Sequence, residues 1–171
     1  LRRKGVNTDV DSMMPYLSFL AINYDIEAVD NAFGWFLDCQ VLDYSESSFE
    51  DYFMEPRDDQ ERRLIVRMLN AMDIDITGIR YQKDEDGLEI YLTHGSGDGT
   101  ELELREESNG TKKLLNLALP FLRALRSGSL VVSDELDAKL HPKLLKYLVM
   151  LFTSRGTNKN GAQLVFTSHD M

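Results

Sequence analysis

Apolar positions recur at helical spacing through the first part of the chain and at alternating spacing further on. Between Tyr16 and Leu42 they fall at Leu17, Leu20 and Ala21, then at Ala28, Phe33, Trp35, Phe36 and Leu37, which predicts two helices split near Asn23. Trp35 lies within that apolar face and is expected to anchor core rather than to stack on a ligand. Ser45 to Asp59, with its SESS run and Pro56, reads as a loop. Asp58 to Arg63 then opens a helix whose apolar face is Leu64, Ile65, Met68, Leu69 and Met72. Its acidic start suits the helix dipole, and Arg62, Arg63 and Arg67 are placed on a solvated face. Ile76, Ile79 and Tyr81 form the next strand, Leu88, Ile90 and Leu92 another after the Asp86-Gly87 turn, and Leu102 and Leu104 a third. This is the half-buried alternation of a small antiparallel sheet, with Gly95 to Glu101 as a hairpin loop and His94, at the end of the middle strand, facing solvent.

After Glu106 the pattern changes and chemistry enters. Ser108, Asn109, Gly110 and Thr111 open a helix with apolar positions Leu114, Leu115, Leu117, Ala118, Phe121, Leu122 and Leu125. Unpaired amides at such a start, with the positive end of the dipole behind them, can bind phosphate; an ordinary serine cap is the plainer alternative. A short strand, Leu130 to Val132, then delivers Asp134 and Glu135, and a turn leads to Pro142, a favoured first residue of a helix. An apolar strand ending in two acids suits a nucleotide hydrolase, with one acid near magnesium and the other beside the attacking water. A second strand, Gln163 to Phe166, ends in Thr167, Ser168 and His169, whose imidazole can donate a hydrogen bond to a terminal phosphate or a polarised water. The two strands are expected to run parallel as neighbours, bringing Asp134, Glu135 and His169 together at their carboxyl ends.

With 171 residues, 43% of them hydrophobic, the chain can bury one ordinary core. Its 19 basic and 29 acidic residues give a net charge of −10, which argues against this chain itself offering a broad nucleic-acid-binding surface. A single cysteine, Cys39, excludes an internal disulfide framework and a cysteine-rich zinc site, and is expected to be a buried thiol. No run approaches the roughly 18 apolar residues of a membrane span, no signal-peptide pattern is present, and the expected compartment is the cytoplasm.

The wording of these motifs, ESNGT, then LVVSDELDAKLHP, then QLVFTSHD, resembles the ABC-type ATPases. Ser108 to Thr111 looks like their signature motif, Asp134-Glu135 like their Walker B pair, and His169 like their switch histidine. Within that group the wording is most similar to bacterial ATPases of the abortive-infection and OLD type, relatives of the RecF and structural-maintenance-of-chromosomes proteins and many of them linked to phage defence. The likeness covers Glu106 to Met171. His141 stands where transporter-type ATPases have an aspartate before the proline, as it commonly does in the abortive-infection relatives; it is also a plain residue held extended by Pro142.

The resemblance implies an α/β fold: a partial P-loop NTPase core of ABC type, residues 106–171, with residues 1–105 mostly a helical and small antiparallel β insert. It also implies ATP and Mg2+ as ligands, Asp134 on the metal, Glu135 and His169 as catalytic groups, and Ser108, Asn109, Gly110 and Thr111 meeting the γ-phosphate across a homodimeric ATP sandwich. Ser168 and Asp170 are placed to tune the histidine. No G-x-x-x-x-G-K-[ST] occurs in the chain, and GSGDGTE lacks the lysine. The expectation is therefore a C-terminal part of an ATPase whose P-loop precedes Leu1, inactive alone, with any nucleic-acid or effector contact made by parts outside this chain. Two alternatives stand beside it: a non-catalytic scaffold of the same fold, and a metal-dependent nuclease built on Asp134, Glu135, His169 and Asp170.

Overall fold

The computed structural model describes residues 2–4, 13–43, 55–83, 87–95 and 99–169. Most of the expected Ser45 to Asp59 loop, the centre of the glycine-rich loop and Asp170 therefore lie outside the described residues. The chain divides into two compact units, Leu1–Cys39 and Gln40–Met171.

In the first unit β1 (Arg2–Arg3) pairs antiparallel with β2 (Tyr24–Asp25), and α1 (Tyr16–Asn23) and α2 (Glu27–Leu37) flank β2. The helices part just after Asn23, as the spacing predicts. Lys4 Nζ donates to the Ala21 carbonyl at 2.9 Å and meets Asp30 Oδ1 at 2.5 Å, tying the strand to both helices. Trp35 departs from expectation. It is 41% exposed, edge-on to Phe36 at 5.1 Å, and no residue of α2 is buried, so apolar spacing alone does not make this helix a core element. Cys39 is half-buried, its thiol donating to the Trp35 carbonyl at 3.3 Å, rather than sealed in a core.

The second unit runs β3 (Gln40–Leu42), α3 (Asp59–Ala71), β4 (Ile76–Lys83), β5 (Leu88–His94), β6 (Thr100–Glu103), α4 (Asn109–Ser127), β7 (Leu130–Ser133), α5 (Pro142–Thr153) and β8 (Gln163–Phe166). Two sheets form: parallel β3-β7-β8 and antiparallel β4-β5-β6. Gln40–Leu42, expected as the end of a helix, is instead an outer strand registered with Val131 to Ser133. Leu104 likewise leaves its strand; it opens a 3-10 turn, Leu104–Glu106, and turns its side chain into the core.

Local chemistry explains the long elements. Asp58 caps α3 by accepting the Glu61 amide at 2.8 Å, and Ile65, Met68, Leu69 and Met72 form the buried stripe behind that cap. Helix α4 begins at a Ser108 cap and ends at Gly128, whose φ of 77° is the left-handed conformation that closes a helix and that glycine tolerates best. Its face from Leu114 to Ala124 is the centre of the core, with Leu114, Leu117 and Phe121 fully buried and Phe121 edge-on to Phe152 of α5. This packing seats the start of α4 and the carboxyl ends of β7 and β8 on one framework. No described helix is long and apolar enough to cross a membrane.

Candidate functional site

Strands β7 and β8 are in register from Leu130↔Gln163 to Ser133↔Phe166, so Asp134 and Thr167 leave their strands side by side. The Thr167 hydroxyl links the two ends. It accepts the Glu135 amide at 2.8 Å and donates to Asp134 Oδ1 in a short bond, while the Leu136 amide returns to the Thr167 carbonyl at 3.1 Å. Glu135 sits at φ 46°, the left-handed region that costs a side-chain-bearing residue about 1–2 kcal/mol, and such strain collects where function needs a side chain aimed. From there Glu135 Oε1 lies 3.3 Å from His169 Nε2. The His169 amide donates to Asp137 Oδ2 at 3.0 Å. The Glu135 carboxylate raises the His169 pKa, first by its hydrogen bond and then by its charge, with Asp137 adding to it. Asp134, Glu135 and His169 thus converge at one end of the parallel sheet.

The helix expected to open at Ser108 to Thr111 is formed, with Ser108 as its N-cap. Ser108 Oγ accepts the Thr111 amide at 3.1 Å and shares a hydrogen bond of 2.9 Å with Thr111 Oγ1. Among the described residues no acceptor is bonded to the Asn109 or Gly110 amide, so both remain open at the positive end of a 19-residue helix. Gly110 has a packing reason as well: a Cβ there would lie 3.2 Å from the Lys139 carbonyl, so the absent side chain lets α4 rest on the turn that follows Glu135. No hydrogen bond joins Ser108, Asn109 or Thr111 to Asp134, Glu135 or His169. His141 is the N-cap of α5, extended before Pro142, its Nδ1 accepting the Lys143 amide at 3.2 Å.

Three residues at this site escape a reading by pattern. Lys113 is 0% exposed and donates from Nζ to the Glu135 carbonyl at 2.6 Å. Burial pushes its pKa down to about 8 against the opposing pull of Asp137 and Glu135. Thr167 and Asp137 hold the turn by bonds that no spacing announces; only the conjunction of a buried-face lysine with a strand-end acid pair hints at the first. His94, expected to face solvent, has a side chain three-tenths exposed that meets Glu107 at 2.5 Å, and Glu107, whose side chain is almost wholly buried, is the residue before Ser108. The shared register of β5 and β6 carries the histidine back toward the start of α4.

Residues 14–171 match the family described as "AAA domain, putative AbiEii toxin, Type IV TA system". The chain belongs to this AAA family. It is an ATPase-family domain of mixed α/β fold, of the P-loop NTPase kind. No curated protein matches this AAA domain. Solved structures similar to it include the Smc head bound to the C-winged helix domain of ScpA, at 21% identity and TM-score 0.49, over 66% of this chain and 35% of that one. An Smc head with an extended coiled coil, bound to the C-terminal domain of ScpA and derived from Pyrococcus furiosus, matches at 23% identity and TM-score 0.47, over 66% and 29%. The SMC head domain from Thermotoga maritima matches at 22% and TM-score 0.40, over 65% and 36%. The AAA domain thus spans about a third of the length of these heads.

Proposed function

We propose that this domain supplies the signature helix, acid pair and switch histidine of an ABC-type ATPase that closes around ATP as a homodimer. The observation that carries the reading is the Glu135–His169 contact of 3.3 Å at the carboxyl end of β7 and β8, with Glu135 in a strained backbone that aims its carboxylate. Residues 106–171 are the nucleotide-binding part, and residues 1–105 are mostly insert, with Gln40–Leu42 lent to the core sheet. Phosphoryl transfer leaves the protein little covalent work, so placing charge and water supplies the rate. Glu135 orients or deprotonates the attacking water, and His169, kept protonated more readily by Glu135, donates toward the γ-phosphate.

Asp134 fits a hard cation: it is exposed at the strand end, and Thr167 engages only its Oδ1. Magnesium held there would neutralise phosphate charge. The open amides of Asn109 and Gly110, beside Ser108, would meet the γ-phosphate held by the partner subunit's P-loop, since none of them bonds to the acid pair of its own subunit. A P-loop, absent from this sequence, belongs to another part of the parent protein, so the domain alone would neither bind ATP tightly nor turn it over. The cytoplasm is the proposed compartment and phage defence the proposed setting, the latter supported by the motif wording and by the toxin named in the family description. The nuclease reading has less support, because the capped helix start at Ser108 to Thr111 has no part in it.

The test is Glu135→Gln in the full-length protein. Turnover should fall about 10²–10⁴-fold, ATP binding should survive, and sedimentation should show an ATP-trapped dimer. Normal turnover by that variant would sink the catalytic assignment and promote the scaffold reading.

A further inference from the structure

A lysine in the middle of a core face needs a reason. Lys113 is fully buried on α4 between Ser108 and the apolar stripe, a position where leucine or methionine would serve packing without the desolvation cost of an amine. Its Nζ donates to the Glu135 carbonyl at 2.6 Å. That carbonyl belongs to the residue with φ 46°, and the amide of the same residue is held from the opposite side by Thr167 Oγ1 at 2.8 Å. Both main-chain polar groups of Glu135 are therefore held: the carbonyl by Lys113 of α4 and, within the turn, by the Ala138 amide at 3.1 Å, and the amide from the end of β8. A left-handed residue relaxes readily unless its surroundings over-determine it. Relaxation at Glu135 would swing its carboxylate away from His169.

We propose that Lys113 is a positioning residue: from α4 it holds the Glu135 carbonyl and so fixes the backbone conformation that aims the Glu135 carboxylate at the reacting water. Because Gly110 lets the same helix start rest against the Lys139 carbonyl, α4 meets the turn from Asp134 to His141 at two points, Gly110 and Lys113. The role of the carboxylate rests on the ATPase reading above; the hold on the backbone does not.

Lys113→Met in the full-length protein separates the two, read by amide hydrogen exchange and by steady-state ATP hydrolysis. Loss of a charge-assisted bond should raise exchange at the Glu135 and Leu136 amides about tenfold or more, with the rest of α4 unchanged. The kcat should fall about 10–100-fold while KM for ATP stays within about twofold, the pattern of a lost orienting partner. In a Glu135→Gln background Lys113→Met should leave the residual turnover where it is and still raise exchange. Unchanged exchange at Glu135 overturns the proposal, and so does raised exchange with an unaltered kcat. A wild-type protein without turnover would remove the ATPase reading alone, and exchange at Glu135 would still decide whether Lys113 holds it. Should Lys113→Met not fold, Lys113→Gln, which keeps a polar head on a shorter stem that cannot span the same gap, carries the same test.

Discussion

Helix α4 turns a charge inward toward each end, Lys113 fully buried and Arg123 half-buried, and the two charges are satisfied in different ways. Arg123 meets a carboxylate: its Nε and Nη2 donate to Glu61 Oε1 and Oε2 at 3.3 and 2.9 Å, joining α4 to α3. Glu61 is completed by the Arg57 amide at 2.9 Å, and Arg123 Nη2 also reaches the Glu55 carbonyl at 3.4 Å, so charge answers charge across the two helices. Lys113 instead spends a bond on the main chain of a strained residue whose side chain stands at the candidate site. The first arrangement holds two helices in register, and its removal should be felt as stability. The second holds a conformation that the backbone would otherwise leave, and its removal should be felt as rate.

The sharpest way to break this contrast is at the exposed start of the same helix. Ser108→Arg in the full-length protein should abolish ATP-driven association and lower turnover by at least about 10²-fold, since a bulky cation would stand where the partner's γ-phosphate should arrive. Monomer nucleotide binding should stay nearly unchanged, and loss of the cap should cost only about 1 kcal/mol of stability. Turnover together with sedimentation checks both halves, and a variant that still dimerises with ATP would detach Ser108 from the site.

At the other end, Arg123→Met should lower stability by about 2–4 kcal/mol, because it leaves the Glu61 carboxylate, only 6% exposed, without its cation; the partial exposure of Arg123 keeps the figure below that of a fully sealed pair. Turnover per folded molecule should not change. Thermal melting set beside turnover tests this, and a rate loss as large as that of Lys113→Met would erase the distinction between the two charges.

Much of this architecture was legible because regular elements announce themselves. The caps at Asp58 and Ser108, Pro142 at the head of α5, and the apolar runs of β7 and β8 each state a local rule that tertiary packing then obeys. The acid pair and His169 were legible for the same reason, since a parallel register must bring the ends of adjacent strands together. What stayed hidden had no periodic signature. Gln40–Leu42 is three residues long with only Leu42 buried, too short for alternation to register. Lys113 and Glu61 were hidden by the prior that a charge on a helix is solvated, which holds unless a specific partner waits across the core. Trp35 erred in the opposite direction, because an apolar stripe predicts burial only where there is something to bury it against.

The smallest effect separates the two charges by pH. The hydrogen bond from Arg123 lowers the Glu61 pKa below its ordinary 4.5, with the Arg57 amide adding to the shift and burial opposing it. A carboxyl whose folded value lies below its unfolded value contributes stability that is present above about 4.5 and lost as pH falls through the folded value. Wild-type melting temperature should therefore drop more steeply below pH 4.5 than that of Glu61→Gln, which has no proton to take up at this position, while the two should run parallel from pH 5 to 7. Lys113 titrates far above this window, with a value near 8, so Lys113→Met should keep the wild-type acid slope. Melting curves of the three proteins from pH 3 to 7 decide it. An acid slope in Glu61→Gln as steep as that of wild type would mean that other carboxylates carry the acid sensitivity, and that the Arg123–Glu61 pair joins the helices by packing rather than by charge.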